Sequence, residues 1–318
     1  MKKIIVMFAS AMMAVLAASA QDINQATEIY NNGAMELQMG NNAVALENFQ
    51  KALQMGEELG EAAGEAGAAL VNNCKKGVCS AYMQMAKDLY NLKDFDGAIN
   101  AFNQTKEVAE GFGETDFAAE AAELVNQTYK LKYNTDAKKA MNAKDYPTAI
   151  ANFTKVLEIE PTNANVALQL GQAYMRSGDL DAAIAPLTIA KENGQEKNAV
   201  KVLSQIYLKQ AQAALKEKKF EETITLAAKS NEYLENGNAY KLAASAAQKL
   251  GKNDECISFY EKYLAVTPNA KDANGVICTI AVLYQQAGNK EKAKEFYQKI
   301  VTDPQYGPTA QEQLKVLN

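Results

Sequence analysis

The hydrophobic pattern opens with an almost unbroken apolar run, Ile4 to Leu16, preceded by Met1-Lys2-Lys3 and followed by Ala18-Ser19-Ala20. A positive leader, an apolar stretch too short to span a bilayer comfortably and a small-residue site form the three-part pattern of a secretory signal peptide, with cleavage expected after Ala20. No later stretch approaches the roughly 18 consecutive apolar residues of a membrane span, so none is expected in the mature chain. Beyond the leader the pattern becomes a recurrence. Ala164 to Gln195 places Leu170-Gly171, Tyr174, Gly178, Ala183, Leu187 and Ala190 in an order that also fits Asp145–Pro161 and Asn253–Pro268. Numbered from starts near Ala26, Cys79, Lys130, Ala164, Ser204, Gly237 and Asn274, the eighth position is Gly33, Ala86, Ala137, Gly171, Ala211, Ala244 and Ala281, small throughout. The twentieth is Ala45, Ala98, Ala149, Ala183, Thr223, Cys256 and Ala293. The twenty-fourth is bulky as Phe49, Phe102, Phe153, Leu187, Tyr260 and Tyr297, with Ala227 departing, and aromatics recur at the fourth as Tyr82, Tyr133, Tyr207 and Tyr240. Self-similarity of this kind predicts an array of structural repeats.

These residues resemble tetratricopeptide repeats (TPR), a helix–turn–helix unit of about 34 residues, over about residues 26–304. The resemblance implies an all-α fold, an α-solenoid of about seven TPR-like helical hairpins forming a right-handed superhelix. The units lie near 26–59, 79–112, 130–163, 164–197, 204–237, 237–270 and 274–307, with 308–318 as a C-terminal capping helix. The physics agrees: one hairpin cannot bury its apolar face alone, and small residues let helices approach while neighbours complete the core. The first two intervals carry about half a repeat of extra chain each, so longer helices or an extra helix are expected there. In the first, Gly56, Gly60, Gly64 and Gly67 would share one face if helical, as a close-contact seam; a flexible linker is the alternative.

Composition narrows the chemistry. The 318 residues contain 33 Lys+Arg, 38 Asp+Glu, no His and no Trp. Without histidine there is no Ser-His-Asp or Cys-His mechanism and no His-containing metal site. Loss of Lys2 and Lys3 with the leader makes the net charge of −5 more negative still, which disfavours nucleic acid and anionic membranes as partners. No phosphate loop, nucleophile elbow or dinucleotide fingerprint occurs. Paired carboxylates such as Glu221-Glu222 read as solvated helix faces. Cys74 and Cys79 flank Lys-Lys-Gly-Val at an expected helix-to-helix turn, where Gly77 could fold the chain back; a local disulfide and free thiols both remain open. Cys256, at a small-residue position, reads as a buried apolar thiol. Neither cysteine spacing fits zinc, and no cofactor or metal is expected.

In proteins of this resemblance, partners usually lie in a groove lined by the first helix of each unit, at the second, fifth, ninth, twelfth and thirteenth positions. Those positions hold no Asp or Glu, where chance would place about four or five. They hold Lys87, Lys138, Arg176, Lys216, Lys241 and Lys249, with amides that include Asn134, Asn142, Gln172, Gln212 and Gln248. Amides and cations suit the backbone and carboxylates of an extended peptide. Tight packing of the first helix would also deplete acids. The Lys-then-Asn clamp some members use for a C-terminal carboxylate is not reproduced: Lys241 is followed by Ser245, and Asn134 by Lys138. The expectation is a non-enzymatic interaction scaffold in a bacterial envelope, exported to the periplasm. It would hold a protein or peptide partner, acidic where the lysines meet it, in the groove. A glycan- or nutrient-binding accessory protein of the envelope is the alternative, through tyrosine stacking.

Overall fold

The computed structural model describes residues 21–317, so the expected signal peptide, residues 1–20, lies outside the described residues. Among the described residues every regular element is helical. Helix α1 covers residues 21–38. It is followed by α2 (Asn42–Leu59), a tight turn Gly60–Ala63, α3 (Gly64–Asn91), α4 (Phe95–Phe112), α5 (Thr115–Asn142), α6 (Tyr146–Ile159), α7 (Ala164–Ser177) and α8 (Leu180–Ala190). After a turn at Lys191–Gln195 come α9 (Glu196–Lys216), α10 (Phe220–Tyr233), α11 (Gly237–Lys249), α12 (Asn253–Val266), α13 (Ala273–Gln286), α14 (Lys290–Lys299) and α15 (Gly307–Leu317). None is long and apolar enough to cross a membrane.

Each hairpin turn is set by one residue, and four of the seven are finished by the next. The fifteenth position of every unit has positive φ: Gly40, Lys93, Lys144, Gly178, Lys218, Gly251 and Gly288. That left-handed residue ends the first helix, and the next N–H bonds back to the carbonyl five residues earlier, as in Asp94 to Leu89 (3.0 Å), Asp179 to Tyr174 (3.0 Å) and Lys252 to Ala247 (2.9 Å). In four units the side chain of the sixteenth residue then caps the second helix, whereas Asn41, Lys219 and Lys252 make no such bond. Asp94, Asp145, Asp179 and Asn289 accept there from the N–H of Gly97, Thr148, Ala182 and Lys292.

The extra chain in the first two intervals is absorbed by helix. α3 and α5 are 28 residues each, against 14 for α7. The four glycines do not form the helical seam considered above. Gly60 and Gly64 have φ of +51° and +56°, so they break the chain between α2 and α3. Gly56 keeps a close helix–helix contact, since a Cβ there would stand 2.8 Å from Val71 Cγ2 on α3, while a Cβ on buried Gly67 would meet Ala63 Cβ of the turn at 2.1 Å.

The chain divides into two compact units after Asp136, inside α5. In the first, Phe49 packs with Ala45, Val78 and Ala81, and Phe102 with Met83, Ala86, Ala98 and Ala121. In the second, Leu187 packs with Ala183, Val202, Leu203 and Ile206, and Tyr297 belongs to a core reaching from Ala244 to Leu317. The lattice works by direct contact between the eighth and twenty-fourth positions. A Cβ on Gly33 would meet the Phe49 ring at 3.0 Å, and one on Gly171 would meet Leu187 Cγ at 2.4 Å. The twentieth position is 0% exposed in all seven units.

The turn expected between Cys74 and Cys79 does not exist. Both thiols lie on the uninterrupted α3, are free and are buried. Five residues of α-helix separate Cα atoms by about 8–9 Å, beyond the roughly 4.4–6.8 Å of a disulfide. Gly77 serves packing instead, since a Cβ there would stand 2.6 Å from Phe49. Burial lifts the Cys74, Cys79 and Cys256 thiols to about 11, with Glu114 adding to the effect at Cys79.

Candidate functional site

The candidate groove residues sit on the first helices of their hairpins. In the first compact unit, half-buried Lys87 on α3 is paired with Glu120 of α5 at 2.9 Å. Asn134 on α5 is half-buried, and its Oδ1 is sealed from solvent without a hydrogen-bond donor. An amide oxygen in that state is costly unless something donates to it. One helical turn further along α5, past the division at Asp136 and so in the second compact unit, Lys138 is exposed, as is Asn142 at the helix end.

The second compact unit holds the best-formed part of the site. Helix α9 packs on α7 and α11, so three first helices stand side by side. Between α9 and α11 opens a cavity of about 320 Å³, lined by Gln212, Leu215, Asn238, Lys241, Leu242 and Ser245. Five of these six are groove positions of the fifth and sixth repeats; Leu242 was not anticipated. Gln172 and Arg176 lie on α7, half-buried and exposed respectively, while exposed Gln248 and Lys249 close the end of α11.

The acid-free groove expected from the positions on the helices needs one correction. Asp272, in the loop before α13, forms an ion pair with Lys241 and accepts from Tyr263 Oη at 2.5 Å. The Lys241 contact, then the tyrosine, hold this carboxyl below its ordinary range; the same bond raises Lys241. The ammonium also stands 5.7 Å from the Tyr263 ring centre. The cavity wall is therefore locally neutral. Asp272 lies in a connection that the repeat register does not number, so no positional pattern pointed to it.

A further cavity of about 320 Å³ continues the same face toward the last helix, between Gln285, Tyr297 and Gln313. There Tyr297 Oη donates to Gln285 Oε1 at 2.9 Å, and Gln285 Nε2 donates to Gln313 Oε1 at 2.9 Å. Tyr207 and Tyr233 stack with centroids 5.6 Å apart, and Lys229 and Lys191 stand over the two rings. Their faces are thus already in use. Among the described residues, no group of three or more His, Cys, Asp or Glu side chains could hold a metal ion.

Successive helical hairpins with their first helices side by side define the class: an all-α solenoid. Family models of the tetratricopeptide repeat match residues 140–206, and residues 237–269 and 275–302. These residues carry tetratricopeptide repeats, a repeat typical of protein-interaction scaffolds that lack enzymatic activity. A search of curated proteins finds no match. Similar solved structures include MamA, at 20% identity over 57% of this chain and 94% of that one, with a TM-score of 0.36. A structure described as MamA AMB-1 is 24% identical over 54% of this chain and 88% of that one, with a TM-score of 0.35. TTC0263, a thermophilic TPR protein of Thermus thermophilus, is 14% identical over 59% of this chain and 98% of that one, with a TM-score of 0.26.

Proposed function

We propose that the protein is a non-enzymatic scaffold of the bacterial envelope, exported by its leader, that holds an extended segment of a partner protein along the first helices of its repeats. The cavity between α9 and α11 carries the reading. Its wall of amides, a hydroxyl and the Leu215 and Leu242 side chains suits main-chain amides and one uncharged side chain. At about 320 Å³ it accepts a residue rather than a large cofactor. The leader supports export, because Met1 to Ala20 has all three parts of a secretory signal. Glycan stacking is less favoured because the Tyr207–Tyr233 pair spends its faces on itself and on two lysines.

A photo-crosslinking residue at Gln212 or Ser245 of the full chain, expressed in its native bacterium, tests both parts. The expected result is a discrete crosslinked protein from these positions and none from exposed Ala228 on α10, with the mature chain beginning at Gln21 in the periplasmic fraction. Equal crosslinking from all three positions would remove the groove assignment. A chain retaining residues 1–20 in the cytoplasm would remove the location.

A further inference from the structure

The lysine that resemblance would single out for anion binding, Lys241, is already neutralised by Asp272. An anion in the groove would therefore meet other cations than Lys241. The thirteenth positions of the fourth, fifth and sixth repeats are Arg176, Lys216 and Lys249. Each lies four residues after Gln172, Gln212 or Ser245, on the same helical face, and Gln212 and Ser245 line the cavity. All three are exposed, and none has a carboxylate within 4.0 Å among the described residues. Acids close in sequence to Arg176 and Lys216 bond elsewhere: Glu217 with Lys219 at 2.8 Å, Asp181 with Gln210 Nε2 at 2.6 Å, and Asp179 with the Ala182 N–H at 3.0 Å.

We infer that Arg176, Lys216 and Lys249 form the anion-reading row of the groove and select an extended partner segment carrying carboxylates at every third residue. The inference rests on the proposed groove function. Charge complementarity names the occupant: three uncommitted cations in a row on an acidic chain, beside a neutral hollow. Geometry sets the spacing. Neighbouring packed helices lie about 8–10 Å apart, and an extended chain advances about 3.3 Å per residue. Three residues therefore carry it from one helix to the next. An acid-x-x-acid-x-x-acid segment crossing α7, α9 and α11 puts one carboxylate on each cation, and an uncharged intervening residue enters the cavity between α9 and α11.

The test uses the full mature chain and three fluorescent dodecapeptides: one with Asp at every third position among Asn, Ser and Thr, one with the same three Asp adjacent, and one with Asn replacing them. The spaced peptide is expected to bind at least tenfold tighter than the other two at low salt, and to lose at least tenfold in the variant R176Q/K216Q/K249Q, whose helical spectrum should be unchanged. A Lys290→Gln variant, at an exposed residue that opens the second helix α14 outside the groove positions, should change binding less than threefold. Equal affinity for spaced and adjacent peptides, or no loss in the triple variant, overturns the inference. The groove-blocking variant Ser245→Trp separates the two readings. If it abolishes the Gln212 crosslink in the native bacterium while charge spacing has no effect on peptide binding, the groove function stands and the row falls. If it leaves that crosslink intact, both fall.

Discussion

Replacement of Gly171 by alanine tests the contact on which the repeat lattice rests. A methyl at Gly171 would stand 2.4 Å from Leu187 Cγ, 2.7 Å from its Cδ2 and 3.2 Å from the Ala183 carbonyl oxygen. Carbon atoms in contact sit at about 3.5–4.0 Å, so α7 and α8 would have to part by about 1 Å. Cγ is a branch point in a side chain that is 0% exposed, so it cannot swing aside as a flexible tip would. Overpacking of this kind costs about 1–3 kcal/mol. Alanine for glycine inside a helix returns about 1 kcal/mol, leaving a net loss of up to about 2 kcal/mol. In a Leu187→Ala background, itself destabilised by about 2–5 kcal/mol, the two leucine contacts disappear and only the mild 3.2 Å approach to the Ala183 carbonyl oxygen opposes the helix term. Gly171→Ala should then stabilise by about 1 kcal/mol. The sign of the same substitution reverses, a coupling of about 1–3 kcal/mol. Urea unfolding followed by far-ultraviolet circular dichroism measures all four corners of the cycle. The m-values must be equal, since an array of repeats can unfold in parts. If Gly171→Ala stabilises in both backgrounds, helix propensity alone governs the site and the contact argument fails.

Two further outcomes follow from the turns and the thiols. Lys93, Lys144 and Lys218 hold φ of +63°, +60° and +61°, where a side chain costs about 1–2 kcal/mol. Glycine removes that strain and gives back about 0.4–1 kcal/mol as unfolded-chain entropy, so each Lys→Gly variant should gain about 0.5–1 kcal/mol, and a loss in chemical unfolding would contradict the turn assignment. Burial lifts Cys74, Cys79 and Cys256 to about 11, above the roughly 8.5 of an exposed thiol. Below that lower value both states keep the proton. Above it the unfolded chain loses the proton first, so stability falls as pH rises from about 8.5 toward 11. Cys→Ala replacement at the three positions should flatten the melting temperature's decline with pH, and an unchanged slope would show that other groups cause it.

The hairpins were legible because their contacts are periodic. Gly33 against Phe49 and Gly171 against Leu187 join the eighth and twenty-fourth positions of one unit, so a fixed spacing in sequence reports a fixed contact in space. The turn rule was legible in principle and went unread. Glycine marks the fifteenth position in only four units, and lysine, which gives no hint of positive φ, fills the other three. The glycine series at 56, 60, 64 and 67 misled for the opposite reason. Helical spacing suggested one face, but Gly60 and Gly64 use their freedom to leave the helix. Cys74 and Cys79 misled because Gly77 looked like a turn residue and is a packing residue beneath Phe49.

The groove shows where periodic reading stops. Counting positions along the first helices gave a basic, acid-free lining, and each helix taken alone agrees. The charge a ligand meets is nevertheless set by a loop, because Asp272 reaches Lys241 from outside the numbered register and Tyr263 holds it there. Lys87 is likewise committed, to Glu120. Of the six cations counted along the groove, only those whose neighbouring acids have other partners keep charge to offer. The residue types were readable from sequence; which of them are available depends on pairings that only the folded chain defines, and it is this second property that would decide what the groove can hold.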